Sequence, residues 1–165
     1  MAVVNTKSTL VSNADATPKV MNNPVQDGGG LREKLGVVAV AAADDDTSTY
    51  RMVRVPSNAR ISSIDLIADA IAGAVAYECG VYQTADNGGA VVVDDVFSGA
   101  SGIDIHLGGN IDMMTGVVAA NRGQPLWQLL GLSSDPLRHY DIVLTADTVG
   151  TAAGNLALRV RYTDG

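Results

Sequence analysis

From Tyr50 to Thr84 the chain alternates apolar and polar residues with a period of two, and this pattern constrains the fold more than any other feature. Ile64, Leu66, Ala68 and Ala70 fall on one side of an extended run, with Asp65, Ile67 and Asp69 on the other. A strand gathers the first set on a single face, whereas a helix would scatter it around the circumference. The next run repeats the device: Val75, Tyr77, Cys79 and Val81 oppose Ala74, Ala76, Glu78 and Gly80. Pro56-Ser57-Asn58-Ala59 separates the first two runs, because proline removes a ladder donor, and Gly73 precedes the third. The stretch is expected to form consecutive antiparallel strands.

The last third of the chain carries the same signature. Tyr140, Ile142, Leu144 and Ala146 alternate with Asp141, Val143, Thr145 and Asp147; after a turn at 150–154, Leu156, Leu158, Val160 and Tyr162 alternate with Ala157, Arg159, Arg161 and Thr163. The expectation is a β-hairpin with one apolar and one charged face. Arg159 and Arg161 are expected to pair across it with Asp141 and Asp147, contributing at most about 1 kcal/mol if exposed.

Between these regions the signals are shorter. Leu35 to Ala43 reads as a first strand that stops at Asp44-Asp45-Asp46. Asp86-Asn87-Gly88-Gly89 is a turn, since Asn and Gly tolerate positive φ, and Val91–Val93 follows as a strand. Ile103, Ile105 and Leu107 alternate with Asp104 and His106, predicting a half-exposed strand closed by Gly108-Gly109-Asn110; residues 111–123 read as a loop with some extended character. Gln124 to Gly131 is the one helix signal. Pro125 suits a helix start, Leu126, Leu129 and Leu130 share a face, and Gly131 can end it. So short a helix must be packed, with Trp127 or the leucines plugging one end of the core. About eight short strands with one short helix predict an all-β fold, an antiparallel β-sandwich of jelly-roll type, over residues 35–165.

Residues 1–34 differ in kind. They are rich in Asn, Thr, Ser, Asp and Gly, include the triplet Gly28-Gly29-Gly30, and hold few large apolar residues. Such a segment cannot bury enough apolar surface alone to offset its ordering entropy. It is expected to be an extended or flexible N-terminal arm, with Val3, Val4, Leu10, Val20, Met21 and Val25 available to anchor it on another subunit.

Composition narrows the function classes. A net charge of −7 repels phosphate backbones and argues against a nucleic-acid partner. No apolar run approaches the about 20 residues that cross a bilayer, and the N-terminus lacks the apolar core of a secretory signal, so no membrane is expected. With 4% aromatic residues the core is built from small aliphatic side chains, and part of the apolar surface is expected to be covered by a partner. The single cysteine, Cys79, lies on the apolar face of its strand and reads as packing; a chain that cannot form an internal disulfide fits synthesis in a reducing cytoplasm.

The search for chemistry finds no catalytic, cofactor or metal residues, and no enzyme is expected. A nucleophile–base pair has only His106 and His139 to draw on, and Ser101 in Gly99-Ala100-Ser101-Gly102 lacks both the spacing and the strand-to-helix context of a nucleophile elbow. A metal cavity of the kind sandwiches sometimes hold needs several histidines, and His106 has no companion two positions away. Asp44-Asp45-Asp46 lacks the alternating ligand pattern and closing Glu of a calcium loop and reads as a solvated turn. The glycine clusters at 28–30 and 150–154 carry no following Lys-Ser/Thr and open no helix, so they read as turns instead of phosphate loops. For a sugar platform the aromatic candidates are few: Tyr77 and Tyr162 align with apolar faces, leaving Tyr82 as the freer one.

Two segments resemble a known family. RMVRVPSNARISSIDLIADAI is similar to the strand, Pro-x-x-Ala turn and strand of tailed-bacteriophage head proteins. PLWQLLGLSSDPLRHYDIVLTADTVGTAAGNLALRVRYTDG resembles their ending, with a short helix, a Leu-Gly-Leu-Ser-x-Asp-Pro turn, a Tyr-Asp-Ile-x-Leu-Thr strand and a closing Leu-Ala-Leu-x-Val-x-Tyr strand. These proteins are the jelly-roll capsid decoration, or cement, proteins. The likeness covers about half of the chain and leaves the arm and residues 85–123 unmatched. It implies a structural virion protein that is made in the host cytoplasm and binds the outer surface of a phage head. There it would bridge copies of the major capsid protein as a homo-oligomer, a dimer or trimer, at capsid symmetry axes. The competing reading for such a sandwich is a tail or fibre-head module that binds a host receptor or glycan.

Overall fold

The structure, a computed structural model, describes residues 6–22, 24, 27 and 29–164. Val3, Val4 and Val25, named above as arm anchors, and Gly28 of the glycine triplet lie outside the described residues. The chain divides into two units, Met1–Gly30 and Leu31–Gly165. Among the described residues, no helix is long and apolar enough to cross a membrane.

The first unit contains a short helix that the sequence pattern did not predict, α1 (Thr9–Asp15). The Ser8 hydroxyl caps it by accepting from the Val11 amide, and Lys7 reaches Asp15 at 2.7 Å. Asn22 ties the following turn back, accepting from Asn13 at 2.8 Å and donating to the Leu10 carbonyl at 3.3 Å. Leu10, Val11, Val20 and Met21 are all exposed, so among the described residues of this unit polar contacts, not burial of these side chains, tie the chain together.

The second unit is a sandwich of two four-stranded antiparallel sheets. Its strands are β1 (Leu31–Val40), β2 (Ser48–Pro56), β3 (Arg60–Ala68), β4 (Ala76–Gln83), β5 (Val91–Val93), β6 (Gly109–Asp112), β7 (His139–Thr148) and β8 (Gly154–Thr163). One sheet has the order β1-β8-β3-β6 and the other β2-β7-β4-β5, so the chain passes from sheet to sheet in the manner of a jelly roll.

Three expectations are corrected by this topology. The run after Tyr50 is indeed a series of strands, but β2 and β3 belong to opposite sheets, as do β3 and β4. The terminal segment is likewise not a hairpin, since β7 sits between β2 and β4 while β8 sits between β1 and β3. Each of these strands turns most of its large apolar residues to one face. Side by side, two such strands form half a core, whereas in opposite sheets their apolar faces close on each other. Ile142, Leu144, Leu156, Leu158 and Val160 are all fully buried in that one core. The expected cross-strand ion pairs fail for the same reason: Arg161 meets Glu33 at 2.8 Å, and Asp141 meets Arg54 at 2.7 Å and Arg51 at 3.0 Å.

The first strand starts at Leu31, ahead of Leu35, because residues 31–34 pair with Val160–Thr163 of β8. Gly36 is required where β1 passes the bulge in β2, since a Cβ there would stand 2.1 Å from the Met52 carbonyl oxygen. The strand predicted over 103–107 does not form. Ile103 makes one isolated bridge with Tyr77, the Asp104 carboxylate captures the His106 amide at 3.0 Å, and Gly108 turns back to the Ile105 carbonyl at 2.8 Å. Ile105 is buried, Leu107 is exposed, and the strand is β6, built from residues read as turn and loop. The helix forms as α2 (Leu126–Leu129) with Pro125 as its N-cap, and Leu126 is its buried plug while Trp127 is half-exposed.

Candidate interaction surface

The residues that could carry chemistry are not brought together. His139 opens β7 opposite Pro56, the last residue of β2. His106 lies beyond Ile105, whose amide bonds Ala74 just before β4; since the first residue of β4 pairs with the last of β7, the two histidines sit at opposite ends of the sandwich. His106 Nδ1 lies 2.6 Å from Asp104, whose carboxyl is held below its usual range by the hydrogen bonds from the His106 backbone and side chain. Ser101 is exposed on a turn, and Cys79 is fully buried, with burial pushing its thiol far above the range in which a thiolate forms.

Among the described residues no three His, Cys, Asp or Glu side chains converge as a metal site. The Asp44 and Asp46 carboxylates are taken up by hydrogen bonds within the protein. Asp44 accepts from the Ala41 amide and the Tyr50 hydroxyl, both at 2.9 Å, and Asp46 accepts from the Val149 amide at 3.0 Å. Tyr82, expected to be the freer of the tyrosines, is buried. Its hydroxyl meets Thr145 at 2.9 Å and Arg51 lies over its ring at 5.5 Å.

The outward faces of the two sheets are more informative. On the β2-β7-β4-β5 sheet, Arg51 reaches across β7 from β2, donating to Asp141 and to the Gln83 and Gly89 carbonyls at 2.6–3.0 Å. Arg54 clasps the same carboxylate at 2.7 and 3.2 Å. Burial raises the Asp141 carboxyl, but the hydrogen bonds from Arg54 and Arg51 outweigh it and hold the group below its usual range. Next to it the backbone of Val93–Asp94 lies against Gly80, and Val143, Thr145 and Glu78 are buried. Burial first, then the neighbouring Asp147, Asp94 and Asp95, push the Glu78 carboxyl up to about 7.

The outward face of the β1-β8-β3-β6 sheet is open. Leu31, Leu35 and Val37 are 62%, 56% and 66% exposed along one side of β1. Val37 continues through its cross-strand neighbour Ala157 to Ile67 on β3. Charged residues within this face are already matched: Glu33 pairs with Arg161 at 2.8 Å and with Arg159 at 3.8 Å, and Asp65 with Arg161 at 3.6 Å. What remains is an apolar stripe with little net charge, on an edge strand.

Against this geometry the comparisons with known proteins can be set. The chain is similar in structure to one in the solved structure described as "Capsid of Ralstonia phage GP4". The TM-score is 0.59 at 14% identity, over 88% of this chain and 92% of that one. That similarity establishes the shared fold. A chain in "Cyanophage Pam1 capsid asymmetric unit" aligns over the whole of both chains at 14% identity with a TM-score of 0.43. No protein-family model matches the sequence, and no curated protein matches it.

The apolar stripe was partly legible in the sequence. Leu31, Leu35 and Val37 share one parity, but Val38 and Val40 share the other, so β1 reads as apolar on both sides. Only the neighbouring strands decide that Val40 faces the core and Val37 faces water.

Proposed function

We propose that this chain is a structural protein of a tailed-phage virion, without enzymatic activity. It decorates the outer surface of the head and bridges copies of the major capsid protein. The observation that carries this reading is the fold likeness over nearly the whole chain to a protein of a phage capsid. The two sequence segments that resemble decoration proteins point the same way, and both lie within the sandwich.

The exposed stripe on β1 supports a homo-oligomer. A two-fold contact needs a surface that tolerates its own copy, and a face whose ion pairs are closed internally meets no like-charge repulsion there. A long apolar edge strand left open invites uncontrolled pairing, so covering it with a second copy removes a hazard as well as burying area. The oligomer, a dimer or trimer seated on a capsid symmetry axis, multiplies one weak contact into strong overall binding. The segment before Leu31, with its exposed Leu10, Val11, Val20 and Met21, lies in this reading on the shell or on an adjacent protomer.

The test adds the purified protein to heads that lack it. Co-sedimentation with intact heads, saturating at a simple fraction of the capsid protein, is the expected result. The absence of any association removes the proposal.

A further inference from the structure

We propose that the corner at Asp135–His139 is a preformed docking anchor, in which Leu137 inserts into an apolar depression edged by carboxylates on a shell protein. This inference rests on the capsid-binding reading above and assigns the residue that makes the contact.

Leu137 is 87% exposed, among the most exposed large apolar residues described, and its φ is +51°. Only one other described non-glycine residue, Thr47, has positive φ. That conformation costs a leucine about 1–2 kcal/mol. It persists because the corner is held from several sides. The Asp135 carboxylate accepts from the Leu137 amide at 2.9 Å and from the Ser57 hydroxyl. Ser57, which is buried, accepts from the Arg138 amide at 3.2 Å and donates its own amide to the Arg138 carbonyl at 2.8 Å. If the corner served only to turn the chain, Gly or Asn at 137 would do so without strain. What leucine adds is its side chain, and that side chain points to water. A backbone already locked loses little entropy on binding, which is what an anchor residue requires.

The charges around the corner favour an acidic partner. Arg138 and His139 are exposed beside Leu137, and His139 also lines a hollow of about 370 Å³ that includes Arg32 and Lys34. Asp164 pairs with Arg32 at 2.6 Å, which leaves Lys34, among the described residues, as the unmatched cation of that hollow, and the Asp135 carboxylate is turned to the Ser57 hydroxyl and the Leu137 amide. At the other end of the sandwich the connections 41–47, 69–75 and 149–153 contain Asp44, Asp45, Asp46 and Asp69 and neither Lys nor Arg. In a chain of net charge −7, Arg138 beside Leu137 and Lys34 in the adjoining hollow therefore favour a surface with carboxylates at its rim. A second copy could offer its acidic end, but that head-to-tail contact leads to open filaments unless its rotation happens to close a ring, so the shell is the better partner.

The experiment compares full-length wild type, Leu137→Gly and Arg138→Glu for binding to heads lacking the protein, at low and high salt, with thermal unfolding and solution mass measured in parallel. Glycine accepts the left-handed conformation, so Leu137→Gly is expected to unfold at the wild-type temperature or above while its affinity falls at least about tenfold. Arg138→Glu is expected to weaken binding and flatten its salt dependence. Wild-type affinity in a folded Leu137→Gly variant overturns the anchor and leaves the capsid reading intact. Loss of self-association by either variant, with head binding retained, also overturns it by assigning the corner to a second copy. Failure of the wild type itself to bind heads overturns both.

Discussion

Strands β7 and β8 look interchangeable as sequences, yet they live in different surroundings. Both alternate apolar and polar residues over ten positions, and both sit second in their sheets. In β8 the alternation survives as burial, with Leu156, Leu158, Val160 and Tyr162 inside and Ala157, Arg159 and Arg161 half-exposed. In β7 it does not: Val143 on the outward face is as buried as Ile142 and Leu144. The difference comes from what crosses over each strand. Arg51 and the Val93–Asp94 backbone cover the sheet containing β7, while nothing described covers the outward face of β1, β8 and β3. The comparison teaches that the outward faces of one sandwich can differ sharply, one being stapled by ion pairs and crossing backbone and the other left exposed to water.

Substitutions at four places test this contrast. The largest effect is expected at Gly80, where an added Cβ would meet the Asp94 and Val93 backbone at 2.2–2.3 Å. Backbone cannot swing aside as a side chain can, so Gly80→Ala is expected to destabilise by about 3 kcal/mol in denaturant unfolding. A wild-type midpoint would mean that the cover is loose.

Removing the central carboxylate comes next. Asp141→Ala strands Arg51 and Arg54 together, but both guanidinium groups are partly exposed and can rehydrate. The expected loss is about 2–3 kcal/mol, below that of a fully buried pair. The native contribution has a definite pH window. Because the folded-state pKa is depressed, the stabilisation is present above the ordinary carboxylate value and disappears as pH falls through the folded value. Acid unfolding curves of wild type and Asp141→Asn are therefore expected to converge at low pH.

Glu78, beneath the same cover, works in the opposite direction. Its pKa rises from an ordinary value near 4.5 to about 7, so the folded state holds the proton more tightly than the unfolded one. Stability accordingly declines as pH rises from about 4.5 to 7 and is level above. Glu78→Gln is expected to abolish that slope and to stabilise the protein at pH 8 by about 1–2 kcal/mol, read from thermal unfolding across the pH range. An unchanged slope would show that Glu78 is hydrated.

The smallest effect on folding is expected on the open face. Leu35→Lys with Val37→Lys should change thermal stability of the isolated chain by under about 0.5 kcal/mol, as at ordinary surface positions. The same pair is expected to shift the solution mass to that of a monomer. A large loss of stability without a change in mass would place these side chains in a folding role and erase the contrast between the faces.

Much of the fold was legible because strand periodicity is a local property. Ile64, Leu66 and Ala68, and later Ile142, Leu144 and Leu158, were identified as inward-facing and are buried. Beyond the sheet assignments, one failure lies where local pattern met a competing hydrogen bond. Around Ile103–Leu107 the Asp104 carboxylate and the turn at Gly108 override the alternation. Tyr82 was misread because Thr145 and Arg51, its partners, are distant in the chain. The candidate surfaces were less legible still, since the stripe at Leu31, Leu35 and Val37 depends on which side of β1 meets the core.

The sequence by itself determined that this chain forms short strands, which side of most of them is apolar, and that no obvious catalytic constellation is written into it. Those properties follow from side-chain order along an extended backbone, where adjacent residues point to opposite sides. Tertiary structure alone decided which sheet each strand joins. Ladder hydrogen bonds come from backbone groups common to nearly all residues, so a turn such as 57–59 or 149–153 leads equally well to a neighbour in the same sheet or across to the other. Closure of a two-sided core makes that choice, and with it determines that Asp141 meets Arg51 and Arg54 while Leu35 and Val37 remain exposed to water.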